Sequence, residues 1–197
     1  VRFHAGSSLA ANGLAASALV TTHLAAATAG LIWLLIEWVT VKKPTALGFA
    51  SGAVAGLVAI TPGAGFVTPL AAIAIGAVVP FVSYGMIKLK SKFGYDDTLD
   101  VFAVHGCGGL WGAIATGIFA NKAVNSAGFN GLIHGNPGLL TGQITSALVA
   151  AGLGFIGTTV IYYAIKIATK TLRVTPQDEE AGLDVTQHGE TAYVTEN

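Results

Sequence analysis

The run Asp100-Val101-Phe102-Ala103-Val104-His105-Gly106-Cys107-Gly108-Gly109 decides the fold, because it opens a stretch from Val101 to Asn121 without a single formal charge. A segment that apolar reads as a membrane span, and an ionisable ring inside it is expensive there. Such residues usually mark a substrate or proton path. Two readings of His105 stand side by side: a pore residue, or a packed histidine bonded to a backbone carbonyl of a neighbouring helix.

Outward from that run the rest of the chain agrees. Of 197 residues, 53% are hydrophobic and 10% charged, where a soluble domain carries about a quarter charged residues; mean hydropathy is +0.67. The ten acidic and ten basic residues cancel, but they are unevenly placed. No Asp, Glu, Lys or Arg occurs from Pro44 to Ile87 or from Ala123 to Ile165. These stretches lack the polar face a water-soluble helix needs. The single Cys107 excludes an internal disulfide and reads as a small packing residue. With no initiator Met and no signal-peptide pattern, the chain is expected to be a fragment or a trimmed piece.

A bilayer core about 30 Å thick needs about 20 apolar residues per helix. The expectation is an all-α membrane protein with five transmembrane helices, at about Asn12–Trp38, Ala46–Thr61, Thr68–Leu89, Asp100–Ala120 and Leu139–Thr169. Residues 1–9 read as the end of a truncated sixth. Residues 1–170 form the expected bundle and 171–197 an acidic tail. Lys42 and Lys43, then Lys88, Lys90 and Lys92, then Lys166, Lys170 and Arg173 follow alternate spans. By the positive-inside rule these ends, and the C-terminus, are expected in the cytoplasm of a multi-pass plasma-membrane protein. Gly52-xxx-Gly56 and Gly108-xxx-Gly112 read as small-residue ridges for close helix packing.

Hydrocarbon rejects an ammonium-sized ion unless its hydration is replaced, and losing a proton lowers that cost. Apolar surroundings favour a neutral imidazole, which offers one donor and one acceptor. His105 could therefore bond a neutral amine or relay a proton. Phe3 and Ser7, four residues apart, share a helix face; at a pore mouth they would offer a cation–π surface and a hydroxyl acceptor, although ordinary packing also explains them. Asp100 reads as a helix N-cap, and Glu37 with Trp38 as an interfacial anchor. His23 reads as an interhelical bond or headgroup contact. His134 and His188 read as solvated, and the scattered histidines lack metal-ligand spacing.

Taken with the run at Asp100, the segments Phe3-His4-Ala5-Gly6-Ser7, Gly48-Phe49-Ala50-Ser51-Gly52, Ile60-Thr61-Pro62 and Gly182-Leu183-Asp184-Val185-Thr186-Gln187-His188-Gly189-Glu190 closely resemble the Amt/Mep/Rh ammonium transporters. The likeness is to the prokaryotic Amt branch, over its C-terminal half. It implies the second repeat of an inverted-repeat fold, in a homotrimer with one pore per protomer. By resemblance His105 is the second of a pair of pore histidines, Phe3 belongs to the outer gate and Ser7 to the ammonium-recruitment site. The remaining pore residues would lie upstream. His4 departs from the family's Asn, and Val1-Arg2 from its aromatic-glycine approach. The tail matches the segment that couples protomers and receives PII-type regulatory proteins.

The resemblance implies ammonium or ammonia as the transported partner within a lipid bilayer, with no cofactor, no nucleic acid and no enzymatic step. An ammonium sensor that binds without flux is the alternative. An intramembrane serine protease using Ser51 or Ser7 with His105 is a third reading, against which stand the lack of a glycine two residues before Ser51 and of an evident second polar partner.

Overall fold

A computed structural model describes residues 2–191. It divides into two compact units, one reaching to Leu148 and the other starting at Val149. In chain order the elements are α1 (Arg2–Gly6), α2 (Gly13–Val41), α3 (Ala46–Ile60) and α4 (Pro69–Phe93), then a π-helical segment Phe102–Cys107 that continues as α5 (Gly108–Phe119). A 3-10 turn at Leu132–His134 precedes α6 (Pro137–Thr169), α7 (Pro176–Ala181) and a second π turn at Asp184–His188. Among the described residues there is no strand.

The helix starts follow from local chemistry. The side chains of Asn12, Thr45 and Thr68 each accept the backbone N–H three residues on, which satisfies an otherwise orphaned donor. Pro69 occupies the first turn of α4, where no N–H is needed. Gly94 closes α4 in the left-handed conformation, its N–H donating to the Lys90 carbonyl.

Packing of α2 against α3 and α4 makes the core, and it rests on small residues. Ala25, Ala29, Ala55, Ala59, Ala72, Ile75 and Val79 are fully buried. A methyl at Gly56 would come within 2.5 Å of the Ala25 carbonyl oxygen, and one at Gly52 within 2.8 Å of the Ala29 oxygen. On the other side of α3, a methyl at Gly112 would collide with the Ala59 carbonyl. Gly52, Gly56 and Gly112 are therefore sites of close backbone approach, while Gly108 meets only side chains, Val79 at 3.4 Å and Ser83 at 3.5 Å. Trp111 adds an indole N–H bond to the Ile75 carbonyl at 3.1 Å, tying α5 to α4.

Four stretches are long and apolar enough to cross a membrane: Gly13–Val41, Pro69–Phe93, Phe102–Phe119 and Pro137–Thr169. The second expected span, Ala46–Thr61, is shorter. At 15 residues and 1.5 Å per residue, α3 rises about 22 Å, and Pro62-Gly63 ends it. Leu31, Leu35, Phe81 and Leu110 point outward in the first unit, and no residue of α6 is buried.

Two expectations change in detail. Asp97, and not Asp100, caps the fourth expected span: its carboxylate accepts the N–H groups of Val101 and Phe102, each at 2.9 Å. Asp100 sits at φ +53° and pairs with Lys90. Glu37 closes the α2–α3 turn, accepting the Thr45 N–H at 2.7 Å, so it is more than a headgroup anchor.

In the second unit, Thr175 caps α7 and Arg173 grips Glu179 through two bonds of 2.6 and 2.9 Å. That guanidinium holds the Glu179 carboxyl below its usual range.

Candidate functional site

Where α1 meets α2 and the end of α3, the first unit forms an open-sided cavity of about 270 Å³. Phe3, His4 and Ser7 of α1 and its following turn line it, facing Ala18 of α2 and the turn Thr61-Pro62. That turn is anchored: Thr21, fully buried, donates to the Ala64 carbonyl at 2.6 Å, and the Phe66 carbonyl accepts the Asn121 N–H at 2.8 Å.

The structure thus brings Phe3 and Ser7 into one cavity, as their spacing requires. Ser7 Oγ donates to the Phe3 carbonyl at 2.9 Å. A hydroxyl has one proton and two lone pairs, so with that proton committed Ser7 presents acceptor capacity only, which suits a cationic donor. The Phe3 ring is 78% exposed and free to offer its face to a cation.

Sequence reasoning passed over the role of the residue between them. His4 Nδ1 lies 2.9 Å from Thr22 Oγ1 on α2, and Nε2 lies 3.1 Å from Thr61 Oγ1 at the C-cap of α3. One ring therefore ties three elements together. The signal was present as the departure from the family's Asn, but two partners 18 and 57 residues away cannot be read from a spacing.

His105 lies apart from this cavity, on the π-helical segment Phe102–Cys107. Its neighbours Ala103 and Val104 are buried while His105 is exposed, and no hydrogen bond to another described residue holds its ring. A π turn widens the helix by one residue per hydrogen bond and is frequent at functional sites; here it turns an ionisable ring out of the packed face. Ser51 lies inside α3 and Ser7 donates to backbone, so among the described residues neither serine is hydrogen-bonded to His105.

Long apolar helices joined through glycine ridges, with apolar side chains turned outward, define an all-helical multi-pass membrane protein. The chain belongs to the Ammonium Transporter Family, whose family model matches residues 1–193. It is 50% identical over 192 residues to an ammonium transporter of Bacillus subtilis, covering 97% of this chain and 47% of that one. To the ammonium transporter Amt1 of Archaeoglobus fulgidus it is 46% identical, covering 97% of this chain and 48% of the relative. The chain thus spans about half the length of the curated relatives it matches. Its fold superposes on the crystal structure of Candida albicans Mep2 with a TM-score of 0.83 at 33% identity, covering 89% of this chain and 40% of that one. A sensor Amt protein matches with a TM-score of 0.81 at 32% identity, covering 94% and 45%. The curated relatives are named as ammonium transporters, a family of transporters and not of enzymes, which removes the protease reading.

Proposed function

We propose that this chain forms the second half of an ammonium transporter pore. Ammonium is recruited at the outer cavity, where Ser7 accepts a hydrogen bond from it. It passes a gate that includes Phe3, gives up a proton, and crosses as ammonia past His105, which serves as one of two pore histidines. The protein sits in the plasma membrane as a homotrimer, with residues 1–170 forming the bundle. The C-terminus lies in the cytoplasm, where residues 171–197 offer a surface to a PII-type regulatory protein.

The observation that carries this reading is His105: an exposed ring, without a hydrogen-bond partner among the described residues, on a segment that carries no charge. Leaving a polar ring on such a surface is costly unless it faces a polar path. The test is uptake of labelled methylammonium by cells that lack their own ammonium transporters and express the protein from its natural gene. His105→Ala is expected to lower uptake at least tenfold or to change its dependence on pH. Wild-type uptake and an unaltered pH response in that variant would remove His105 from the pore.

The likeness to a sensor Amt protein favours one second reading, ligand binding without flux. It predicts ammonium-dependent association of the tail with a partner while purified protein in liposomes passes no ammonium.

A further inference from the structure

The His4 bonds raise a question of proton count. Thr22 Oγ1 donates to the Ala18 carbonyl at 2.6 Å, and Thr61 Oγ1 donates to the Leu57 carbonyl at 2.8 Å. A carbonyl cannot donate, so each threonine's only proton is committed for as long as that bond holds. While the hydroxyls keep those bonds they face the ring as acceptors and both ring nitrogens donate; a hydroxyl that turns its proton to the ring instead is served by a neutral imidazole. A neutral imidazole carries one N–H; the imidazolium carries two.

We propose that His4 is a proton-dependent positioning residue of the outer cavity, clamping α1 to both Thr22 and Thr61 when its ring is charged and releasing the Thr61 side when it is neutral. The asymmetry follows from burial. Thr22 is fully buried, with no water to replace a lost bond, so Nδ1–H stays on it in both states. Thr61 is exposed and its hydroxyl reaches solvent, so Nε2 is the nitrogen that titrates.

The consequence reaches the neighbouring side chains. The His4 ring meets the Phe3 ring edge-on, with centroids 6.0 Å apart, and Ser7 is bonded to the Phe3 carbonyl. A positive charge on His4 lies beside the place where a cation is recruited and opposes its binding. Among the described residues, none of those lining the cavity is a carboxylate. Other charged or titratable groups on the elements that meet here are Arg2 on α1, His23 and Glu37 on α2, and Lys122 and His134 in the segment that supplies Asn125; α3 has none. Glu37 is at the far end of α2, engaged by Thr45.

The clamp stands on hydrogen-bond geometry, while its effect on uptake rests on the proposed function, and two measurements separate them. In the first, the protein with 15N-labelled histidine rings is reconstituted in lipid and followed by nitrogen NMR from about pH 5 to 8, the range in which histidine charge changes. His4→Asn identifies the His4 signals by their loss. Nε2 is expected to lose its proton while Nδ1 keeps it, and Thr61→Val, which removes an acceptor of the charged ring, is expected to move the midpoint to lower pH. A ring with one unchanging tautomer, or a midpoint indifferent to Thr61→Val, overturns the clamp.

In the second, KM for methylammonium uptake is expected to rise about three- to tenfold from pH 8 to pH 5, from the repulsion of two like charges at the mouth. His4→Asn is expected to bring that ratio to about one, and His23→Gln to leave it as it was. An equal ratio in the His4→Asn protein overturns the effect on recruitment. Absence of uptake in every variant, with the NMR titration intact, sinks the transport reading and leaves the clamp standing.

Discussion

Which aspartate begins the fourth span is settled by a single carboxylate. Asp96, Asp97 and Asp100 all precede the apolar run, and the sequence pattern favours the last because it stands directly before Val101. The chain instead turns through a positive φ at Asp100, which directs that side chain to Lys90 and leaves Asp97 over the two open N–H groups. A cap of this kind contributes about 0.5–2 kcal/mol. Asp97→Ala is therefore expected to lower the thermal stability of detergent-purified protein and to speed hydrogen exchange at the amides of Val101 and Phe102. Equal exchange in the variant and the parent would mean that the π-helical segment carrying His105 starts without help from Asp97. Spacing put Phe3 and Ser7 on one helix face, and they line one cavity; His105 stood out by type in its apolar run; the roles proposed for all three come from the resemblance. His4 was legible only as an oddity, because its two threonine partners come from separate helices.

At the scale of the element, the glycines separate into two groups that the sequence does not distinguish. Gly52-xxx-Gly56 repeats at helical spacing and its packing role was readable, whereas whether a given glycine of α4 touches anything depends on the neighbour that arrives. A methyl at Gly56 meets the Ala25 oxygen at 2.5 Å and the Ala29 methyl at 2.7 Å, while one at Gly85 meets nothing within 4 Å. Overpacking of a close interface typically costs about 1–3 kcal/mol. Gly56→Ala should lower the unfolding temperature and the yield of folded protein, and Gly85→Ala should match the parent or exceed it slightly, since alanine is the better helix former. Similar losses at both positions would show that helix propensity, and not the α2–α3 contact, is being measured. The π turn at Phe102–Cys107 escaped the sequence for a related reason. Hydrophobic periodicity over six residues cannot distinguish 3.6 residues per turn from a slightly wider turn, and Gly106, Gly108 and Gly109 permit either.

For the molecule as a whole, composition and periodicity made the all-helical membrane class legible, because a chain with two charge-free stretches of more than forty residues has no water-soluble alternative. What composition leaves open is which side each end faces, and the only physical guide is the placement of lysine and arginine. Lys42 and Lys43 flank the end of α2, Lys88, Lys90 and Lys92 the end of α4, and Lys166, Lys170 and Arg173 the end of α6, against Lys122 alone in the intervening turns. Translocating such clusters is disfavoured, so the topology proposed above keeps them on the cytoplasmic side. The single Cys107 makes this testable with one background substitution, Cys107→Ser. In intact cells a membrane-impermeant maleimide is expected to label Ser126→Cys, an exposed position in the turn between α5 and α6. Lys43→Cys and Glu180→Cys should react only after the cells are opened. Labelling of Lys43→Cys from outside would invert the topology. It would also move Phe3, His4 and Ser7 to the cytoplasmic mouth, where an outer recruitment site has no meaning, so the sidedness of three surface positions decides whether the cavity at α1 can receive ammonium from the medium.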